Sequence, residues 1–64
     1  MFILELETGN AAFCNEMTGE PDEMYEEMET ERILYQVIRG VGRGAREGNC
    51  IDINGNKVGK WRFE

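Results

Sequence analysis

The 64-residue chain contains no histidine and no serine. Neither a Ser-His nor a Cys-His nucleophile pair can therefore be assembled within it. Its two cysteines, Cys14 and Cys50, fall short of the four Cys or His ligands that a structural zinc requires. Long apolar runs are missing as well: Met1 to Leu4 is short, without a basic segment before it, and nothing approaches the roughly 18 residues of a membrane span. From these gaps the expectations are no catalytic residue, no metal, no cofactor and no membrane partner. The expected location is the reducing cytoplasm, where both thiols stay free.

Positive charge is missing from half of the chain. Residues 1 to 31 carry Glu5, Glu7, Glu16, Glu20, Asp22, Glu23, Glu26, Glu27, Glu29 and Glu31 without one base. All seven bases follow, against Glu47, Asp52 and Glu64, so the halves hold −10 and +4 and the whole −6. An acid-rich surface of this kind is either a solvated face or a means of steering toward a basic partner. Size adds a second constraint. So short a chain buries only about 60% of its unfolded surface, which makes one domain over 1–64 the ceiling and a partner or oligomer helpful.

What is present reads as strand, helix, strand, strand. In "MFILELET", Phe2, Leu4 and Leu6 alternate with Ile3, Glu5 and Glu7, the period of a half-buried strand. Gly9 and Asn10 end it, and Phe13 is expected to fold onto the core edge. Residues 14–23 read as an acidic loop, with Pro21 suited to the first turn of a helix. Ile33, Leu34, Val37, Ile38 and Val41 make one apolar stripe, placing a helix over about 22–43 whose pattern is clear from Thr30 and leaves open whether 22–29 belong to it, with Glu29, Arg32, Gln36, Arg39 and Arg43 mostly on its other side. Asn54-Gly55 marks a hairpin between the last two strands. Val58 falls out of phase with Trp61 and Phe63, and a bulge at Gly59 would bring it back to their face. The expected fold is α+β: a three-stranded antiparallel sheet, last strand central, with one helix on one face, so that Trp61 and Phe63 pack under Leu34, Val37, Ile38 and Val41.

"IRGVGRGAREG" (38–48) is the one stretch that suggests a ligand loop. Phosphate loops need glycines that open a helix, whereas these follow one. Arg39, Arg43 and Arg46 suit the negative helix C-terminus, and Gly44 or Gly48 supplies a left-handed stop. Gly40 and Gly42 would each cost about 0.8–1 kcal/mol against alanine, and a close backbone approach to the sheet or to a second protomer would account for them. Asp52, Asn54, Gly55 and Asn56 share some spacing with a calcium loop, but without its closing Glu or flanking helices they read as a turn.

Met17, Met24, Met28 and Tyr25 form a soft apolar cluster inside the acidic segment. It either caps the core or serves as an adaptable binding surface. With the motifs set out, "LELETGNAAF", "ERIL" and "DINGNKVGKWRF" resemble a family of small uncharacterised bacteriophage and prophage proteins that run strand–NAAF–helix–hairpin and close on D-x-N-G-N-x-V-G-x-W. The acidic segment 14–29 is longer here, and glycines replace helix formers at 40 and 42. The resemblance implies a mobile-element origin and the same fold, but no activity.

The expected function is non-enzymatic protein binding in the bacterial host cytoplasm, to a host protein with a basic surface, as an inhibitor of host defence or a nucleic-acid mimic. The candidate contact is Glu16, Glu20, Asp22, Glu23, Glu26 and Glu27, with Met24 and Tyr25 as apolar anchors. Two alternatives stand beside it. One is a self-assembling homo-oligomer in which this segment meets Arg39, Arg43 and Arg46 of the next copy. The other is weak nucleic-acid binding through those arginines with Lys57, Lys60 and Arg62, against which the surplus of acid argues.

Overall fold

A computed structural model describes every residue from Met1 to Glu64. The elements are β1 (Phe2–Leu6), a short 3-10 turn (Ala11–Phe13), α1 (Glu23–Gly42), β2 (Glu47–Ile51) and β3 (Lys57–Phe63). The strands form one antiparallel sheet in the order β1-β3-β2, with the helix on one side. This is the α+β arrangement that the sequence pattern implies, with the last strand in the centre.

Register follows from the alternation in β1. Leu4 lies opposite Trp61, and Trp61 opposite Gly48, while Glu5 faces Lys60 and Arg62 faces both Ile3 and Glu47. Apolar side chains thus line the helix-facing layer, and charged ones the outer face. The bulge is present. Cys50 pairs with Gly59 but Ile51 with Lys57, leaving Val58 as the extra residue. Val58 is accordingly buried beside Trp61, at 7% and 4% exposure. Gly59 is required where it sits, because a Cβ there would fall against the backbone carbonyl of Glu5 in β1.

The helix starts one residue later than expected. Asp22 is its N-cap, its Oδ1 accepting from the Met24 N–H at 2.9 Å, which satisfies one of the free first-turn donors. Pro21 therefore lies outside the helix rather than in its first turn. At the other end Gly44, at φ 88°, donates to Val41 and Ala45 donates to Gly40. That pair of bonds is a Schellman stop, and Gly44 rather than Gly48 provides it.

The core is Phe13, Ile33, Val37, Cys50, Val58 and Trp61. Each fully buried side chain of this size contributes about 1.5–3 kcal/mol. Phe13, expected at the core edge, lies inside it at 1% exposure. The helix stripe departs from expectation in the other direction. Ile33 and Val37 are buried, but Leu34, Ile38 and Val41 remain 41%, 60% and 38% exposed, and the third buried helix residue is Glu29. Trp61 explains both the shift and a glycine. A Cβ at Gly40 would lie 2.8 Å from its Cζ2, and one at Gly48 2.7 Å from its Nε1. The indole is slotted between α1 and β2 where neither presents a side chain. The helix consequently sits toward β2 and leaves its β1 flank uncovered. Gly42 meets no neighbour, and nothing in the structure requires it.

Candidate partner-binding surface

The segment 14–22 is a built turn. Cys14 bridges Pro21, and Asn15 donates its N–H to the Glu20 carbonyl and accepts from Gly19. The Asn15 side chain accepts from the N–H groups of Met17 and Thr18, and Gly19 takes a φ of 75°. The turn holds Glu16, Met17 and Glu20 out in solvent. From Asp22 the chain enters α1, whose first turns carry Glu23, Met24, Glu26 and Glu27 exposed and Tyr25 half-buried. Glu23 and Glu26 stand near the positive end of the helix dipole, which favours acids.

Not all eight candidate residues point to one place. Glu16 and Tyr25 share a cleft of about 350 Å³ with Met28 and Arg32, whereas Asp22, Glu23 and Glu26 border a smaller one of about 170 Å³ with Thr8. Asp22 is committed to its capping bond, and Glu26 accepts from the Thr8 hydroxyl at 2.5 Å. The methionines do not cap the core: Met17, Met24 and Met28 are 88%, 61% and 58% exposed.

Two acids outside the candidate set have structural work. Glu29, which the stripe pattern places on the solvent side, is 6% exposed. It takes a bidentate pair from Arg32 at 2.7 and 2.9 Å and the Ile53 N–H at 2.8 Å. The Arg32 guanidinium holds its carboxyl below the usual carboxylate range, with the Ile53 N–H helping and burial opposing. Arg32 also donates to the Ile51 carbonyl, and the Gln36 amide both donates to that carbonyl and accepts the Ile51 N–H. Gln36 thus occupies the outer edge of β2 as a neighbouring strand would.

Asp52 organises the hairpin. No non-glycine residue takes a positive φ, so the connection is not the two-residue Asn-Gly turn, which needs one at both positions. Instead the segment 52–56 closes through Asp52 N–H to the Asn56 carbonyl, with Gly55 at φ 86°. The Asp52 carboxylate accepts from the N–H groups of Asn54 and Asn56 and from the side chains of Asn10 and Asn56. Burial pushes its pKa up, but those four donors more than offset it and hold the group below its usual value. The Asp52 carboxylate is filled by donors from Asn10, Asn54 and Asn56, so the calcium-like spacing is a turn that staples Asn10 to the hairpin. Nowhere do three or more Cys, Asp or Glu converge as a metal would need. Both cysteines are free, and burial raises the Cys50 thiol pKa.

The basic residues are dispersed. Arg46 lies over the Phe63 ring at 4.5 Å, Arg62 reaches Glu64 at 3.4 Å, and Lys60 is opposite Glu5 on the outer sheet face. No helix is long and apolar enough to cross a membrane. No protein-family model, curated protein or solved structure matches this chain.

Sequence reasoning missed the groove on the uncovered helix flank. Phe2, Leu4, Leu34, Ile38, Val41 and Phe63 line an open trough of about 670 Å³ with no polar surface. Its signal was the width of the apolar stripe, more side chains than one glycine-lined contact with Trp61 can cover.

Proposed function

We propose that the protein acts by binding another protein through its acidic surface, without chemistry of its own. One observation carries this reading. Of the acids of residues 1–31 only Glu29 is held in an ion pair, by Arg32, and the one base set directly across from another is Lys60, opposite Glu5 on the sheet and away from residues 16–27. Glu16, Glu20, Glu23, Glu27 and Glu31 stand exposed with no cation in ion-pair range. Such a field steers a basic partner at long range, and exposed Met24 and half-buried Tyr25 offer adaptable apolar contact once it arrives.

The partner that fits is a protein with a basic, nucleic-acid-binding surface, whose site the acids would fill as phosphates do. With the resemblance to phage and prophage proteins, this makes the chain an inhibitor of a bacterial host's defence nuclease, acting in the cytoplasm. The dispersed bases argue against direct nucleic-acid binding, because a backbone contact needs them on one face.

The test is a pull-down from bacterial lysate at moderate salt. The control converts Glu16, Glu20, Glu23, Glu26 and Glu27 to Gln and leaves the Asp22 cap in place. One stoichiometric basic protein, lost in the variant and displaced by DNA or RNA, is the expected result. Capture that the substitutions leave unchanged would remove the acids from the interface.

A further inference from the structure

The two edges of the sheet are treated differently. On β2 the outward N–H and C=O of Ile51 are occupied by Gln36, while those of Glu47 and Asn49 are free but border no apolar groove. On β1 nothing comparable happens. Glu64 donates to the Met1 carbonyl and Glu7 to that of Val58. With the antiparallel register these fix the odd residues, Ile3 and Glu5, as the ones bonded to β3. The N–H and C=O of Phe2, Leu4 and Leu6 therefore point outward, and no other group in the chain bonds to them. The same strand forms the floor of the apolar groove, whose wall is Leu34, Ile38 and Val41. An open edge beside an open apolar trough is what proteins normally avoid, and β1 carries no lysine, proline or bulge to blunt it.

We infer that β1 is a self-pairing edge: two copies join antiparallel about Leu4, extending the sheet across both and closing the two grooves against each other. The strand itself argues for a second copy over a foreign peptide. Pairing centred on Leu4 sets Phe2 opposite Leu6 and Leu4 opposite Leu4, so the outward groups bond to each other in every pair. On the outer face it sets Glu5 opposite Ile3, never acid against acid, so the self-pairing register brings no like charges directly together. A two-fold contact of this kind uses one patch twice and closes at two subunits. A standard interface takes about 800 Å² from each partner, about a sixth of the 4692 Å² this chain exposes. The edge together with Phe2, Leu34, Ile38 and Val41, each 38–60% exposed, supplies less than that, so the expected dimer is a weak one. The acidic surface lies outside this contact, so the inference stands apart from the proposed host partner.

Sedimentation over a concentration series, with amide hydrogen exchange at each point, tests it. The expected result is a monomer–dimer equilibrium in which the Phe2, Leu4 and Leu6 amides gain protection as dimer forms. High salt should leave it in place. Ile38→Lys puts a cation in the closed groove of a folded chain and should weaken association at least about tenfold, which is about 1.4 kcal/mol. A monomer up to about millimolar concentration, where even interactions of about 4 kcal/mol would register, would overturn the inference. So would a dimer whose β1 amides stay unprotected, or one dissolved by salt, which would be the acid–arginine contact. A β1 edge protected only by an added foreign peptide would overturn it as well.

Discussion

The two flanks of α1 are built by opposite means. Toward β2, Glu29, Arg32 and Gln36 form a polar clasp that reaches Ile51 and Ile53, and Asp52 continues it to Asn10. Toward β1, the flank holds only apolar side chains, and much of their surface stays in water. The helix is thus anchored sideways by hydrogen bonds as much as by its greasy stripe. Hydrogen bonds are directional and apolar contact is not, so the part-buried bonds of Glu29 and the exposed ones of Gln36 fix where the helix lies along β2. The consequence is the uncovered flank. A helix drawn toward one edge of a three-stranded sheet cannot also cover the other.

If that contrast is right, the clasp should carry stability and the open flank should not. The largest effect is expected from Glu29→Ala, which strands the Ile53 N–H and releases Arg32 to solvent. A loss of about 1–3 kcal/mol in urea unfolding is expected, a large share of the roughly 3–10 kcal/mol available to a chain of this length. A smaller loss, about 0.5–1.5 kcal/mol, should follow Gln36→Ala. Wild-type stability in either variant would mean that the clasp is ornamental.

Acid should sharpen the comparison. Glu29 and Asp52 both have depressed pKa values in the folded chain. Their contribution is therefore fully present above the unfolded values of about 4.3 and 3.9 and is lost as pH falls through the lower folded ones. Thermal unfolding should be flat from about pH 7 to 5 and drop below about pH 4, and Glu29→Gln should blunt the drop. A midpoint indifferent to acid would contradict the assigned hydrogen bonds. The smallest effect belongs to the open flank. Ile38→Lys should shift monomer stability by no more than about 0.5 kcal/mol, while weakening self-association. A large destabilisation would show that the groove is part of the core.

Much of this was legible in the residues. The alternation in β1, the helical stripe and the out-of-phase Val58 were enough to define three strands, one helix, the central position of β3 and the bulge. Of the features that were not, two governed the placement of the helix. Glu29 looks like a solvent residue in any periodicity count, because its burial depends on Arg32 beside it and on an Ile53 N–H that is far away in sequence. The offset of the helix depends on Trp61 finding Gly40 and Gly48, a tertiary fit no local pattern records. Of the candidate contact, Glu16, Glu20, Glu23 and Glu27 are exposed as their charge suggests. Asp22 also caps the helix, a role the residue type at that position allows.

The most direct test of the contrast is residue-resolved amide exchange on dilute protein. The Ile51 N–H, held by Gln36, should exchange slowly, and the Leu4 N–H, one strand beyond the centre, should exchange almost as fast as in an unfolded chain. Equal protection at the two edges, or a protected Leu4 beside a rapidly exchanging Ile51, would contradict an account in which one flank is sealed and the other left open.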